Sequence, residues 1–356
     1  MSAELKRDYE IGAEIGRGRF GVVHRCTSRA SGEAFAVKSV DRSRLGDDLD
    51  RELAELEPKL AQVAGAGNPG VVQVHAVYED EAWTHVVMDL CAGPDLLEWV
   101  RIRRGAPVPE PVAAAIVAQV AQALALCHRR GVAHRDVKPD NILIDAAAAA
   151  AGTDGDGDGE DEEEEGGDGE AEAAPRARLA DFGSAAWVGA GGLGRAEGLV
   201  GTPHYVAPEV VGGGEYGAKA DVWSAGVVMY ALLSGGALPF GGESAAEVLA
   251  AVLRGSARFP PRLFGGVSPA AKDLMRRMIC RDEWRRFTAE QVLVHVHVHA
   301  FLILQGVEKH FSSSGNTPSP LSSLSKSNTP SVVWLESVQL EKVLELEYEL
   351  AFSLRL

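Results

Sequence analysis

Short apolar strands separated by glycine-rich turns open the chain, and wider helical stripes follow them. Tyr9 to Ile15 and Gly21 to Thr27 read as the two strands of a hairpin around Gly16-Arg17-Gly18-Arg19-Phe20-Gly21, not as a strand opening directly into a helix. Ala34-Phe35-Ala36-Val37 is a short apolar strand that ends at Lys38. Leu49 to Val63 has a helical stripe bearing Leu60 and Val63, and Pro58 predicts a restart or kink within it. Val86-Val87-Met88-Asp89-Leu90-Cys91 predicts a buried strand. Asn141-Ile142-Leu143-Ile144 and Arg178-Leu179-Ala180-Asp181 predict a second hairpin, split by a long polar insert.

That insert changes how the charge is read. The chain has 356 residues, 46% of them hydrophobic, enough to bury two lobes, and a formal charge of −16 that disfavours nucleic acid and anionic membrane as partners. Residues 152 to 172 hold twelve Asp or Glu and no Lys or Arg, so the other residues together carry only −4. With the alanine run Ala146 to Ala151 before it, the composition of 146 to 176 cannot offset the entropy of ordering, and a disordered loop is expected. Extruding it from a tight turn costs only ~0.6 kcal/mol per doubling of loop length. Asp154, Asp156, Asp158, Gly159 and Glu165 meet the spacing of a calcium loop. Asp161 stands where such loops place an apolar residue and no amphipathic helix flanks the tract, so weak, nonspecific cation binding is the expectation.

The candidate chemistry lies in His134-Arg135-Asp136-Val137-Lys138-Pro139-Asp140-Asn141 and in Asp181-Phe182-Gly183, forty residues beyond Asn141. Phosphoryl transfer must orient an acceptor hydroxyl, neutralise the phosphates of ATP with Mg²⁺ and exclude water. Asp136 is the residue to accept the hydroxyl's hydrogen bond, Lys138 the one to steady the migrating group, and Asn141 with Asp181 the pair to hold Mg²⁺. Any one of these alone would read as a solvated loop residue; the ordered set does not. Upstream, Gly16, Gly18 and Gly21 let the backbone close over a triphosphate, Val23 can pack on adenine, and Lys38 suits the α- and β-phosphates. Lys38 needs a carboxylate from the following helix. Glu57 is chosen over Glu52 and Glu55 by its separation from Lys38 and its place before the Leu60/Val63 stripe, with Glu52 the alternative.

Within protein kinases the chain resembles the plant calcium-dependent and calmodulin-dependent group, and most closely the phosphoenolpyruvate carboxylase kinases. The resemblance rests on Glu14-Ile15-Gly16-Arg17-Gly18-Arg19-Phe20-Gly21, Asp48-Leu49-Asp50-Arg51, Glu57-Pro58-Lys59-Leu60, Val200 to Glu209, and Ala271-Lys272-Asp273-Leu274 with Ile279-Cys280. It implies an α+β fold of two lobes, a small β-rich lobe over 9–89 and a larger helical lobe over 90–293, after a tail at 1–8 and before an atypical extension at 294–356. It also implies a monomeric Ser/Thr kinase without autoinhibitory or calmodulin-like regions, acting on a serine near the amino terminus of phosphoenolpyruvate carboxylase. Two alternatives stay open: another substrate in a basic context, or a catalytically impaired scaffold that still binds nucleotide. Ile15, Ala36, Met88, Asp89, Cys91, Asp95 and Leu143 would complete the ATP site, with the backbone of Asp89 and Cys91 on the adenine edge and Asp95 near ribose and substrate. Glu209 and Arg286 would pair in the large lobe, and Asp221 would brace the catalytic loop.

Asp95 and Asp140 could pair with Lys or Arg upstream of the acceptor. Between Asp181 and Glu209 the hydroxyl residues are Ser184, Thr202 and Tyr205, none mid-loop, so activity without activation-segment phosphorylation is expected, with Glu197 lying near Arg135. Val294-His295-Val296-His297-Val298-His299 alternates as a strand would and could set three His on one face, but no acidic or Cys partner is near. Ser312 to Ser331 reads as linker, and Val338 to Leu354 as a short amphipathic helix. Cys26, Cys91, Cys127 and Cys280 are widely spaced, no secretory signal opens the chain, and no run approaches the length of a membrane span; a cytoplasmic location is expected, with the nucleus as the alternative.

Overall fold

A computed structural model describes residues 2–18, 21–46, 48–145, 174–192 and 194–304, without the side chains of 297–304. Contacts divide the chain into two units, Met1–Val292 and Leu293–Leu356.

The first unit begins with an antiparallel sheet of β1 (Tyr9–Arg17), β2 (Gly21–Ser28), β3 (Ala34–Asp41), β4 (Val74–Glu79) and β5 (Trp83–Asp89), in the order β1-β2-β3-β5-β4. Its register places Val23 opposite Lys38 and Ala36 opposite Met88. Opposed residues share a face, and Ala36 and Lys38 are two apart on β3, so all four line one side of the sheet. Val37 and Val87 point to the other side, where they form a core with Cys26 and Leu5.

Leu5 belongs to α1 (Ala3–Asp8), a helix where the sequence reading expected a tail. One fully buried leucine in a charged stretch suffices to dock it. Ser2 caps α1 with its side-chain oxygen, and its backbone N–H donates to Nε2 of buried His85 at 3.1 Å. His85 Nδ1 meets Ser39 Oγ at 2.8 Å. Burial lowers the His85 pKa from 6.5 to about 4. Between those values the unfolded chain binds a proton that the folded chain refuses, so stability is full above pH 6.5 and falls on acidification toward pH 4. Urea unfolding at pH 7 and pH 5 is expected to show this loss in the wild type and a smaller one in His85→Gln; equal losses would sink the assignment.

α2 (Asp48–Gly65) follows the sheet's third strand and runs unbroken through Pro58, where a restart or kink was expected. The Pro58 ring is buried with Leu60 and Ala61, so packing offsets the backbone bond it cannot donate.

The helical part contains α3 (Leu96–Ile102), α4 (Glu110–Arg129), α5 (Pro208–Val211), α6 (Lys219–Ser234), α7 (Ala245–Arg254), α8 (Pro261–Phe264) and α9 (Pro269–Met278). Every residue of α6 from Ala220 to Ser234 is buried, as an apolar circumference requires, and the helix packs against α4 and α9. It ends at Gly235, whose φ of 73° is left-handed and where a Cβ would collide with the Gly105 carbonyl. By length and composition α4 could cross a membrane, contrary to the sequence reading, yet most of it is buried against α6 and β8 (Arg176–Leu179), so the apolar run is core.

Two small ladders position the loops between lobes. β6 (Val132–Ala133) pairs with β9 (Ala186–Trp187), and β7 (Ile142–Asp145) pairs with β8 from Ile142 opposite Leu179 to Asp145 opposite Arg176. Arg176 is therefore a strand residue and not the end of the insert, because the ladder extends to the last pair that can form. The calcium-like spacing of Asp154 to Glu165 lies outside the described residues.

α10 (Ala289–Leu304) is a helix across His295, His297 and His299, which overturns the strand reading of the alternating histidines. Residues two apart on a helix stand about 200° apart, so the three positions do not all lie along one face as they would on a strand. The Ser-rich 312–331 and the apolar 338–354 lie outside the described residues.

Candidate active site

The sheet face bearing Val23, Ala36, Lys38 and Met88 forms the roof and back wall of the site. Ile15 on β1 is half-exposed, and Val23, Met88 and Leu143 are partly exposed, which leaves apolar side chains without a complete protein partner. The glycines of the first hairpin divide into two kinds. A Cβ at Gly21 would come within 2.6 Å of the Ser39 carbonyl, so its lack of a side chain serves the sheet itself. At Gly16 and Gly18 the nearest atoms would be 3.8 and 4.0 Å away. The fold does not demand glycine there, and its presence leaves the backbone open to close approach by a ligand. The Gly18 N–H closes the turn onto Gly21 O at 2.9 Å.

Lys38 Nζ lies 2.5 Å from Glu57 Oε1 and 2.7 Å from Asp181 Oδ1. Glu52 is exposed, and the geometry selects Glu57. Burial opposes the Lys38 charge, but Glu57 and Asp181 outweigh it and raise its pKa. Lys38 in turn holds the Asp181 carboxyl at about 2 against burial. Burial, with Asp181 nearby, raises the pKa of Glu57 despite Lys38. Glu57→Gln is expected to lower kcat/KM for ATP about 10–100-fold, the size of one lost charge-assisted bond, with Glu52→Gln near wild type. Equal effects in steady-state kinetics would contradict the assignment.

Across the cleft, Asp136 is the centre of a tight polar group. The Thr202 hydroxyl donates to Asp136 Oδ1 at 2.8 Å, Lys138 Nζ sits 2.8 Å from Oδ2, and Lys138 also donates to Thr202 Oγ1 at 3.0 Å. Asn141 Nδ2 donates to the Asp136 carbonyl at 2.8 Å and to Oδ2 at 3.2 Å. This fixes the amide and leaves its carbonyl oxygen for a cation. With the ionised Asp181 carboxylate it supplies the hard oxygen donors that Mg²⁺ prefers.

Asp221, 1% exposed on α6, accepts from the backbone N–H of His134 at 2.9 Å and of Arg135 at 2.8 Å, and from His128 Nε2 at 2.8 Å. Burial pushes its pKa up, but its interactions with His128 and His134 hold it below the usual value. His134 donates from Nε2 to Ala180 O at 3.0 Å and stacks edge-on to Phe182. The catalytic loop is thereby tied to Asp181 on one side and to α6 on the other. Arg135 and Asp181 both have left-handed φ, 67° and 62°, the strained backbone found at sites whose surroundings over-determine it.

The protein kinase domain profile matches residues 9–298, most of the chain. The chain belongs to the protein kinase family. It is 38% identical over 293 residues to the serine/threonine-protein kinase PEPKR2 of Arabidopsis thaliana, covering 82% of this chain and 53% of the relative. It is 35% identical over 292 residues to calcium-dependent protein kinase 19 of the same plant, covering 82% and 48%, and 36% identical over 292 residues to calcium-dependent protein kinase 2 of Zea mays, covering 82% and 51%. The chain spans about half the length of the curated relatives it matches.

In this kinase domain the hinge is more heavily braced than the sequence indicated. The Asp89 N–H is spent on Gln73 O at 3.0 Å, so of its two main-chain groups only the carbonyl could meet an adenine edge. Its carboxylate pairs with Arg178, with His75 Nε2 at 2.6 Å and with the Gln73 N–H at 3.1 Å. Arg178 also donates to Val71 O at 2.9 Å. No spacing rule links Arg178 to Asp89; only the β7–β8 hairpin brings them together. Cys91 follows, its thiol pushed up to about 11 by burial. Asp95 gives one carboxylate oxygen to the Glu98 N–H at 2.8 Å as the N-cap of α3, so only the other can face ribose or substrate. Glu209 and Arg286 form the expected pair at 2.5 and 2.8 Å. Glu197 meets Arg135 through its main-chain carbonyl and not through its carboxylate, which corrects its expected role.

Proposed function

We propose that this chain transfers the γ-phosphoryl group of ATP to a protein serine in a basic context, and that the acceptor is a serine near the amino terminus of phosphoenolpyruvate carboxylase. The Thr202 hydroxyl, which donates 2.8 Å to Asp136 with Lys138 beside it, carries the transfer reading. A substrate hydroxyl presented in the same way would be oriented for attack, would pass its proton to Asp136 as its oxygen bonds to the γ-phosphorus, and would release ADP. Lys138 neutralises charge on the moving group, and Lys38, fixed by Glu57, steadies the phosphates that stay behind. Asn141 and Asp181 would hold Mg²⁺, which would supply further charge neutralisation when bound. Exposed Asp140 and the second oxygen of Asp95 support a Lys or Arg upstream of the serine. The carboxylase as substrate is supported by the Glu57-Pro58-Lys59-Leu60 element on α2 and the other sequence resemblances. Free Cys26, Cys91, Cys127 and Cys280 support a reducing compartment, the cytoplasm first.

The test is Mg·ATP-dependent phosphate incorporation into purified phosphoenolpyruvate carboxylase, its acceptor Ser→Ala variant and a generic basic peptide. Incorporation that the Ser→Ala change removes supports both parts. Transfer to the peptide alone keeps the kinase and discards the carboxylase, and no transfer by folded protein favours a nucleotide-binding scaffold.

A further inference from the structure

Arg135 is a cation of the catalytic loop that transfer itself does not use, and its partners show how the loop is held. Where phosphorylation orders an activation segment, the new phosphate pairs with an arginine. Here Arg135 donates from Nε to Ser184 O at 2.5 Å, from Nη2 to Ala185 O at 3.4 Å, and from Nη1 to Glu197 O at 3.1 Å and the Tyr216 hydroxyl at 3.1 Å. All four acceptors are uncharged. Three are carbonyls of the segment 181–209 itself and would move with it. Tyr216 lies beyond that segment, is 1% exposed, and is pinned by paired backbone bonds with Ala196 at 2.8 and 2.9 Å. Its hydroxyl accepts from Arg135 and donates to Gly198 O at 3.0 Å.

We propose that Tyr216 is a positioning residue that joins Arg135 to the activation segment through one buried hydroxyl, doing with a neutral group what a segment phosphate would do with charge. The proposal rests on the kinase reading and adds its regulation. Arg135 neighbours Asp136, and its own N–H is held by Asp221 at 2.8 Å. Releasing its side chain therefore loosens the backbone that aims Asp136, while the nucleotide pocket under β1 and β2 is untouched. Because the clamp is uncharged, it cannot be removed by a phosphatase.

Tyr216→Phe keeps the ring in its apolar surroundings, among them Val206, Ala207 and Val210, and deletes only the hydroxyl. In the full chain kcat on a basic peptide is expected to fall about tenfold, the size of one or two lost neutral hydrogen bonds. KM for ATP and the Mg·ATP-induced rise in melting temperature are expected to stay at wild-type values, and the melting temperature itself to fall by only a few degrees. Amide hydrogen exchange is expected to quicken across 184–199. Phosphatase-treated wild type is expected to keep its kcat. An unchanged kcat and exchange pattern in Tyr216→Phe overturns the proposal, as does a fall in kcat matched by lost melting temperature and lost nucleotide response, which would assign the residue to packing. Activity lost on phosphatase treatment also overturns it. If the wild type transfers phosphate to nothing, the kinase reading fails and exchange alone decides: faster exchange at 184–199 supports the clamp, unchanged exchange removes it.

Discussion

Asp136→Asn is expected to lower kcat on a serine-containing basic peptide by about 10²–10⁴-fold, the usual contribution of a positioned base. The Mg·ATP-induced rise in melting temperature is expected to persist. The amide has the shape of the carboxylate and can still accept from the Thr202 hydroxyl, so the loop keeps its form. It cannot take the proton that a substrate hydroxyl gives up on attacking phosphorus. It also leaves Lys138, now 2.8 Å from Oδ2, without its counter-charge, and an ammonium that repels Mg²⁺ and attracts the phosphoryl group would be less well placed. Both effects act on the transition state and neither on nucleotide binding, so the loss should appear in kcat with little change in KM for ATP. Activity within threefold of wild type would remove Asp136 from the chemistry, and a lost nucleotide response would mean that the substitution had damaged the cleft instead.

The catalytic loop was legible because its chemistry forces particular residue types into one short stretch. Asp136, Lys138 and Asn141 must meet within a few ångströms, and a tight loop is the shortest way to bring them there. Lys38 and Glu57 were legible by a weaker signal, since a strand-end lysine needs a helical carboxylate, yet three glutamates were on offer. Their exposure decided between them, and exposure belongs to the packed helix. The partners of Arg135 left no trace in the sequence: three are main-chain carbonyls, which any residue supplies, and the fourth, Tyr216, follows the segment by several residues. Arg178 and Asp89 lie 89 positions apart and meet only through the hairpin that carries Arg178. The misread segments share a different cause. At α1 one leucine outweighs the charged residues around it because the sheet has an apolar face to cover. At α10 the alternation of Val and His imitates a strand, but helical backbone bonding satisfies each peptide group locally.

Arg286→Ala is expected to destabilise the first unit by about 3–5 kcal/mol, the cost of breaking a buried ion pair by removing one partner. The Arg286 side chain is fully buried and binds Glu209 in a two-pronged pair, while its remaining donors reach Cys280 O at 2.9 Å and Lys219 O at 3.0 Å. Its guanidinium also lies 5.2 Å from the centre of the Trp223 ring. One side chain thus joins the end of the activation segment at α5, the start of α6 and the loop that precedes α10. Alanine leaves the Glu209 carboxylate, largely buried, without a counter-charge, and strands two carbonyls. For a unit of this size such a loss corresponds to a melting temperature lower by about 10 °C. Arg286→Lys should recover little, because a single ammonium cannot form the two-pronged pair or reach both carbonyls from one position. Glu209→Gln should cost less than either, since the amide oxygen still accepts one bond, although its nitrogen faces the guanidinium. The ordering Arg286→Ala and Arg286→Lys far below Glu209→Gln, measured by thermal melting and urea unfolding, would show that the pair acts through geometry and not charge alone. Arg286→Ala melting within about 2 °C of wild type, less than 1 kcal/mol on this scale, would mean that the three segments are held together without it.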